Sequence, residues 1–247
     1  MSLPDFHNRP LIDQFSNVME KHAGDFHPVV NFAPAAERIG PIDLSKNNPV
    51  FSEKVFSDLE LFTRFIEERR TGYKFLIGGY LEERAMYKRS KLFSNNLRTL
   101  ATDDDEPRSI HLGMDIWGDA GTNIYAPIGG MIESFAYNNN FGDYGATIIL
   151  QHQLETVNFY TLYGHLSLKD LEHIRLGQFI NRGQRLAQFG LPEENGHWPP
   201  HLHFQLIFDI ENFDGDYPGV CKRSELEHYR SNCPNPDALL KLNRFLT

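Results

Sequence analysis

Histidine and aspartate recur in this chain at spacings that suit a hydrolytic metal site. His111 and Asp115 stand four apart, His165 closes Tyr163-Gly164-His165, and His201 and His203 flank Leu202. Two imidazoles and a carboxylate, from His111, Asp115 and one member of the 201/203 pair, leave a fourth coordination position open. An open position is how a catalytic zinc differs from a structural one, which four protein ligands close. His165 and the other histidine of the pair are then free to handle protons, which imidazole does near neutrality because its ordinary pKa is about 6.5. Each piece is weak alone. Eleven histidines in 247 residues give about half of one H-x-H by chance. A polar strand face explains 201/203, and a hydrogen-bonded loop histidine explains His165. Only their joint occurrence points to chemistry.

The elements that must position these residues follow from periodicity. A strand over 201–205 puts His201, His203 and Gln205 on one face and Leu202, Phe204 and Leu206 on the other. A second alternation puts Phe159, Thr161, Tyr163 and His165 on one face and Tyr160 and Leu162 opposite. Gly113, with Gly118 and Gly121 beyond it, argues against a helix at His111 and Asp115. Strands are expected at 131–137, 146–152, 159–163, 184–189 and 203–208, so the fold class is α+β, mainly β, with an antiparallel sheet. The loops 138–140 and 192–200 are expected to rim a cleft. Before the strands, a helix is expected at 11–22 and a clearer one at 58–70. The latter has a Ser57/Glu60 capping box, an apolar stripe of Leu59, Phe62, Phe65 and Ile66, and a stop at Gly72. Residues 73–93 read as one or two strands interrupted by Tyr80, Glu82, Arg84 and Tyr87. The acidic run Asp103–Glu106 reads as a solvated loop. A Pro234–Pro236 turn and a short helix at 237–245 close the chain.

Taken in order, these pieces carry a resemblance. His111-x-Gly113-x-Asp115, Ala126-Pro127-x-Gly129, Tyr163-x-His165-Leu166-Ser167, Gly177 and Gly183, and Pro200-His201-Leu202-His203-Phe204 resemble the M23 metallopeptidases. This is the lysostaphin-type family of zinc endopeptidases that cut peptide bonds of peptidoglycan. The resemblance implies a hybrid-motif catalytic core at 107–210, preceded by a helical and mixed extension at 1–106 and followed by a packed extension at 211–247. It also implies one Zn2+ held by His111, Asp115 and His203, with His165 and His201 as catalytic histidines. A peptide or amide bond would be hydrolysed by a zinc-activated water, with a peptidoglycan cross-link or glycine-rich peptide as substrate. Two features depart from the family. Gly196-His197-Trp198-Pro199-Pro200 replaces the usual Ser/Thr-Gly-Pro, and Gln205 stands where an acidic residue is usual. The Trp198-to-Gln205 run is more similar to a variant M23 module of multidomain proteins. In related enzymes an N-terminal region occludes the zinc, which makes His7, His22 and His27 candidates for that role.

Composition narrows the partners. The chain is 40% hydrophobic with 19 Phe, enough for a proper core, and its net charge of −9 without a basic run argues against nucleic acid. No stretch is long and apolar enough to span a bilayer, so no membrane insertion is expected. Two cysteines, Cys221 and Cys233, are expected as free thiols. No signal peptide is visible, so the expected compartment is the cytoplasm, with export left open if the native N-terminus is longer. Oligomeric state is not legible. Two other function classes compete: a non-catalytic or regulatory metal-binding module of the same fold, and a phosphocarrier with paired histidines. The second leaves Asp115 and the third histidine unexplained.

Overall fold

The computed structural model describes residues 9–93 and 106–247. His7 and Asp103–Asp105 of the acidic run lie outside them. Glu106, the run's last member, accepts the backbone N–H groups of Arg223 and Ser224.

In chain order the strands are β1 (Ile39–Pro41), β2 (Phe75–Gly78), β3 (Ile110–His111), β4 (Met114–Trp117), β5 (Asn123–Tyr125) and β6 (Gly130–Asn138). They continue as β7 (Gly145–Leu154), β8 (Val157–Leu166), β9 (Phe179–Ile180), β10 (Arg185–Gln188), β11 (His201–Ile207) and β12 (Val220–Cys221). Eight form one sheet in the order β1-β2-β4-β11-β8-β7-β6-β9. Every pairing in it is antiparallel except β1 with β2. That parallel pair needs a crossover, and the helices α1 (Arg9–Lys21), α2 (Glu53–Phe56) and α3 (Leu59–Arg70) include the two that supply it, α2 and α3. The expected class, α+β and mainly β, is what the chain adopts. The long antiparallel strands arise where β-branched and aromatic residues alternate between Gly- and Asn-rich turns. Among the described residues no helix is long and apolar enough to cross a membrane.

The sheet's two faces have different partners. On one face Leu202, Phe204 and Leu206 join Phe159, Tyr163 and the α1 residues Phe15, Val18 and Met19. Fully burying each such side chain stabilises the fold by roughly 1.5–3 kcal/mol. An aromatic group formed by Phe51, Phe56, Phe62 and Phe65 packs on Trp117 and Trp198. Segment 39–78 therefore closes one edge of the sheet and builds a wall beside β4.

Several local expectations are corrected. Asp58, not Ser57, caps α3: its carboxylate accepts the Leu61 N–H at 3.0 Å. The carboxylate one position closer reaches the orphan donor and favours the positive end of the helix. Phe62, Phe65 and Ile66 are buried as the stripe required, while Leu59 is only half-buried. Residues 73–93 hold one strand, β2, within the one or two expected, followed by two 3-10 turns at Met86–Arg89 and Lys91–Phe93. The C-terminal helix is shorter than expected, Asp237–Leu240, because Lys241 adopts a left-handed conformation. Cys221 and Cys233 are buried free thiols, as expected.

His152 illustrates what burial does to a histidine far from any catalytic residue. Its Nδ1 donates to Gly129 O at 2.9 Å and its Nε2 accepts the Thr161 hydroxyl at 2.7 Å. Burial lowers its pKa to about 4. In the unfolded chain it titrates near 6.5, so its contribution is complete above that pH and is lost as pH falls toward 4. Urea unfolding of the metal-free protein at pH 6.5, 5.5 and 4.5 should show stability falling, with His152 contributing up to about 3 kcal/mol. In His152→Gln the slope should be shallower by close to one proton; an unchanged slope would refute the assignment.

Candidate metal centre

Strand β11 lies between β4 and β8, and its register decides the site. His203 pairs with Asp115 and with Gly164, and His201 pairs with Trp117. Directly paired residues point to the same side, so His203 and Asp115 are brought together by backbone pairing alone. His111 arrives from β3 across the break at Leu112-Gly113. Gly113 is required there, because a Cβ would lie 2.5 Å from His203 Cε1.

His111 Nε2 lies 3.3 Å from Asp115 Oδ1, His203 Nδ1 lies 3.3 Å from the same oxygen, and the two nitrogens are 2.8 Å apart. All three residues are buried. The protonation of each ring follows from its other nitrogen. His111 Nδ1 donates to Gly79 O at 2.9 Å, which leaves Nε2 a lone pair. Gln205 donates through Nε2 to Pro218 O and to Cys233 Sγ, so its Oε1 faces His203. His203 Nε2 must then donate, which leaves Nδ1 a lone pair. Asp115 Oδ1 has no hydrogen-bond partner. Three acceptor atoms thus converge on one buried point with no donor among them.

That arrangement could hold a cation. At metal–ligand distances of 2.0–2.1 Å, neighbouring ligands of a tetrahedron stand about 3.3 Å apart. The two carboxylate–imidazole distances equal that edge. The donor set of two nitrogens and one oxygen, without thiolate, suits zinc. This trio is the group among the described residues whose atoms could hold a metal ion.

The other two histidines line the same cavity, of about 190 Å3. His201 Nδ1 donates to Pro199 O at 2.8 Å, and its ring stacks on Trp117 at a centroid distance of 3.9 Å. His165 Nδ1 donates to Asn195 O at 2.8 Å. The two rings are 4.2 Å apart. Both keep a lone pair at Nε2. Burial lowers the pKa of His201 to about 4 and, helped by His201 and His203, holds that of His165 well below the ordinary value. Burial lowers His111 to about 3, with Arg84 adding to the effect. Burial alone would raise the Asp115 pKa, but the neighbouring His111 and Arg84 keep it well below the carboxylate range.

The face assignment for His165 is corrected. Tyr163 packs against Phe204 on the far side of the sheet, whereas His165 stands by Tyr144 and His201 on the site side. The register between β7 and β8 slips by one residue between Tyr163 and Leu166, and His165 has φ +62°. A bulge therefore turns the side chain over to the other face. The alternation of His201, His203 and Gln205 holds.

Three contributions escaped the sequence. Arg84, read as an interruption of a strand, is fully buried and donates through Nη1 to Asp115 Oδ2 at 2.6 Å. Tyr144 stands over the site with its hydroxyl 3.5 Å from His203 Nε2. Tyr217, Pro218 and Gly219 form a wall because β12 pairs with β3 beside His111. The only signal for Arg84 was a charge inside an apolar, aromatic stretch. Loop residues Asp143 and Trp198 line the cavity, whereas His22 pairs with Asp25 and Glu155 and His27 stacks near Tyr125, both away from it.

The sheet presents a buried histidine–aspartate trio beside two further histidines. Residues 109–214, less than half of the chain, match the model of peptidase family M23. Solved structures similar to it include the catalytic domain of the antimicrobial peptidase lysostaphin from Staphylococcus simulans, at 22% identity over 60% of this chain and 99% of that chain, with a TM-score of 0.34. Another is a zinc containing peptidase from Vibrio cholerae, at 24% identity over 51% of this chain and 36% of that one, TM-score 0.34. The match thus spans little more than a third of the Vibrio cholerae chain. No curated protein matches this chain.

Gln205 is the residue that fixes the His203 tautomer, so Gln205→Leu should lower zinc affinity about 10- to 100-fold with the fold retained. Competition with a chromophoric chelator reads this; unchanged affinity would remove Gln205 from the centre.

Proposed function

We propose that this protein is a zinc-dependent metallopeptidase that hydrolyses a peptide or amide bond, with His111, Asp115 and His203 as metal ligands and His165 and His201 as catalytic histidines. The observation that carries the reading is the convergence of His111 Nε2, His203 Nδ1 and Asp115 Oδ1 on one buried point without a donor. A zinc ion held there supplies Lewis acidity and lowers the pKa of water toward neutrality.

The chain's own residues do the rest. His165 and His201 each have Nδ1 tied to a backbone carbonyl and a lone pair at Nε2, so each accepts a proton at that atom and, once protonated, donates from it. Their spacing sets both along one side of the same cavity, where a developing oxyanion can be met by a protonated imidazole. The stack on Trp117 and the Pro199 carbonyl hold His201 in one orientation, so little reorganisation accompanies the transfer. Burial lowers the pKa of His201 to about 4 and holds that of His165 well below its ordinary value, so both rings rest neutral at neutral pH. Substrates of the class are peptidoglycan cross-link peptides and glycine-rich peptides. The module responsible is 107–210, with residues within 84–93 and 213–220 supplying cavity walls.

The test compares five variants for zinc content and for hydrolysis of glycine-rich peptide and peptidoglycan fragments. His111→Ala, Asp115→Ala and His203→Ala should lose most of about one equivalent of zinc. His165→Ala and His201→Ala should keep it and lose turnover by about 10²–10⁴-fold. Retained zinc in His203→Ala with loss in His201→Ala would reverse the assignment. Tight zinc binding by an inert wild type would favour the non-catalytic module instead.

A further inference from the structure

We propose that Arg84 is a positioning residue of the metal centre: it holds Asp115 by Oδ2 and so presents Oδ1 alone to His111 and His203. The inference rests on the metal reading above and adds to it a residue from outside the segment that matches the family, 109–214.

Arg84 is held from two sides. Its Nη1 donates to Asp115 Oδ2 at 2.6 Å and lies 3.3 Å from the Tyr87 hydroxyl, while its Nε donates to Glu82 Oε2 at 2.6 Å. Glu82 is itself fixed, because its other carboxylate oxygen accepts the Leu44 N–H at 3.1 Å. The backbone is laced to the ligand strand: Leu81 N–H donates to His111 O, His111 N–H to Glu82 O, and Arg84 N–H to Ser109 O. Gly79, whose carbonyl orients His111, has no room for a side chain, since a Cβ would lie 2.1 Å from Arg84 Nη2. Segment 79–84 thus orients two of the three ligand residues.

Packing does not account for the guanidinium. Nη2 has no hydrogen-bond partner, and a buried arginine with an unmade bond is costly beside an apolar side chain of similar length. A carboxylate free at both oxygens can engage an ion with either or both. With Oδ2 occupied by Nη1, only Oδ1 is left, and it is the atom 3.3 Å from both imidazole nitrogens. Lysine would keep the charge but, as a point donor, would not span Asp115 and Glu82 in this fixed geometry.

The experiment uses the full chain as wild type, Arg84→Lys and Glu82→Gln. Zn2+ affinity is read by chelator competition, Co2+ by its visible absorption, and folding by circular dichroism. Both variants should fold. Arg84→Lys should lose about 10- to 100-fold in zinc affinity, and Glu82→Gln should lose less. In both, the cobalt band should weaken, because a second carboxylate oxygen raises the coordination number; a merely structural charge balance would leave the band unchanged. Folded variants with wild-type affinity and an unaltered band would overturn the proposal while leaving the metal centre intact. If Arg84→Lys fails to fold, Glu82→Gln decides alone, since its side chain is partly exposed. A wild type that binds neither ion would remove the metal centre itself, and this proposal with it.

Discussion

A single buried carboxylate constrains this structure more than any other group. Asp115 lies within an eight-stranded sheet, almost fully removed from solvent, and its neighbours hold its carboxyl well below the usual carboxylate range. A charge so placed is tolerated only when it is paired and hydrogen-bonded. One oxygen takes the Arg84 guanidinium, and removing one member of such a pair typically costs about 3–5 kcal/mol. The other oxygen faces two imidazole nitrogens that carry lone pairs, and this local excess of acceptors is what a divalent cation relieves. The neighbours follow from that demand. Gly113 makes room for His203, the Gly79 carbonyl and Gln205 fix two ring tautomers, and Tyr144 and the 217–219 wall line the cavity beside them.

The same constraint explains why the chain outside the family match is not a bystander. Segments 39–41 and 75–78 extend the sheet beyond β4, so Gly78 pairs with Asp115 on the side opposite His203. Four phenylalanines of 51–65 pack on Trp117 and Trp198, one of which stacks on His201 and the other of which lines the cavity. Met86, Tyr87 and Phe93 also line the cavity. The centre is therefore built jointly by 109–214 and by residues before and after it.

Residue type and strand periodicity made much of this legible in advance. The 201–205 alternation placed His203 and Gln205 on the face opposite Phe204, because period-two geometry leaves a regular strand no choice. Gly113 correctly spoke against a helix. His165 defeated the same rule, since a bulge with one positive φ reverses a side chain and leaves no trace in an alternating pattern. Arg84 was hidden for a different reason: Asp115, the partner that ties it to the centre, is 31 residues away, and local patterning carries no information on such a pair. The cap of α3 moved by one residue because Ser57 and Asp58 are both good caps, and the choice between them is made by the chain's approach to the helix. Strand-like apolar content in 73–93 became 3-10 turns once packing on the aromatic wall outweighed local propensity.

The position of a bound ion is the most direct test of the centre. Anomalous X-ray diffraction at the zinc edge, from crystals of the full chain equilibrated with Zn2+, locates it without reference to activity. The structure predicts one peak about 2.0–2.1 Å from His111 Nε2, Asp115 Oδ1 and His203 Nδ1, with Asp115 Oδ2 still on Arg84. An ordered trio with no peak beside it, or a peak held by His201 in place of His203, would contradict the account.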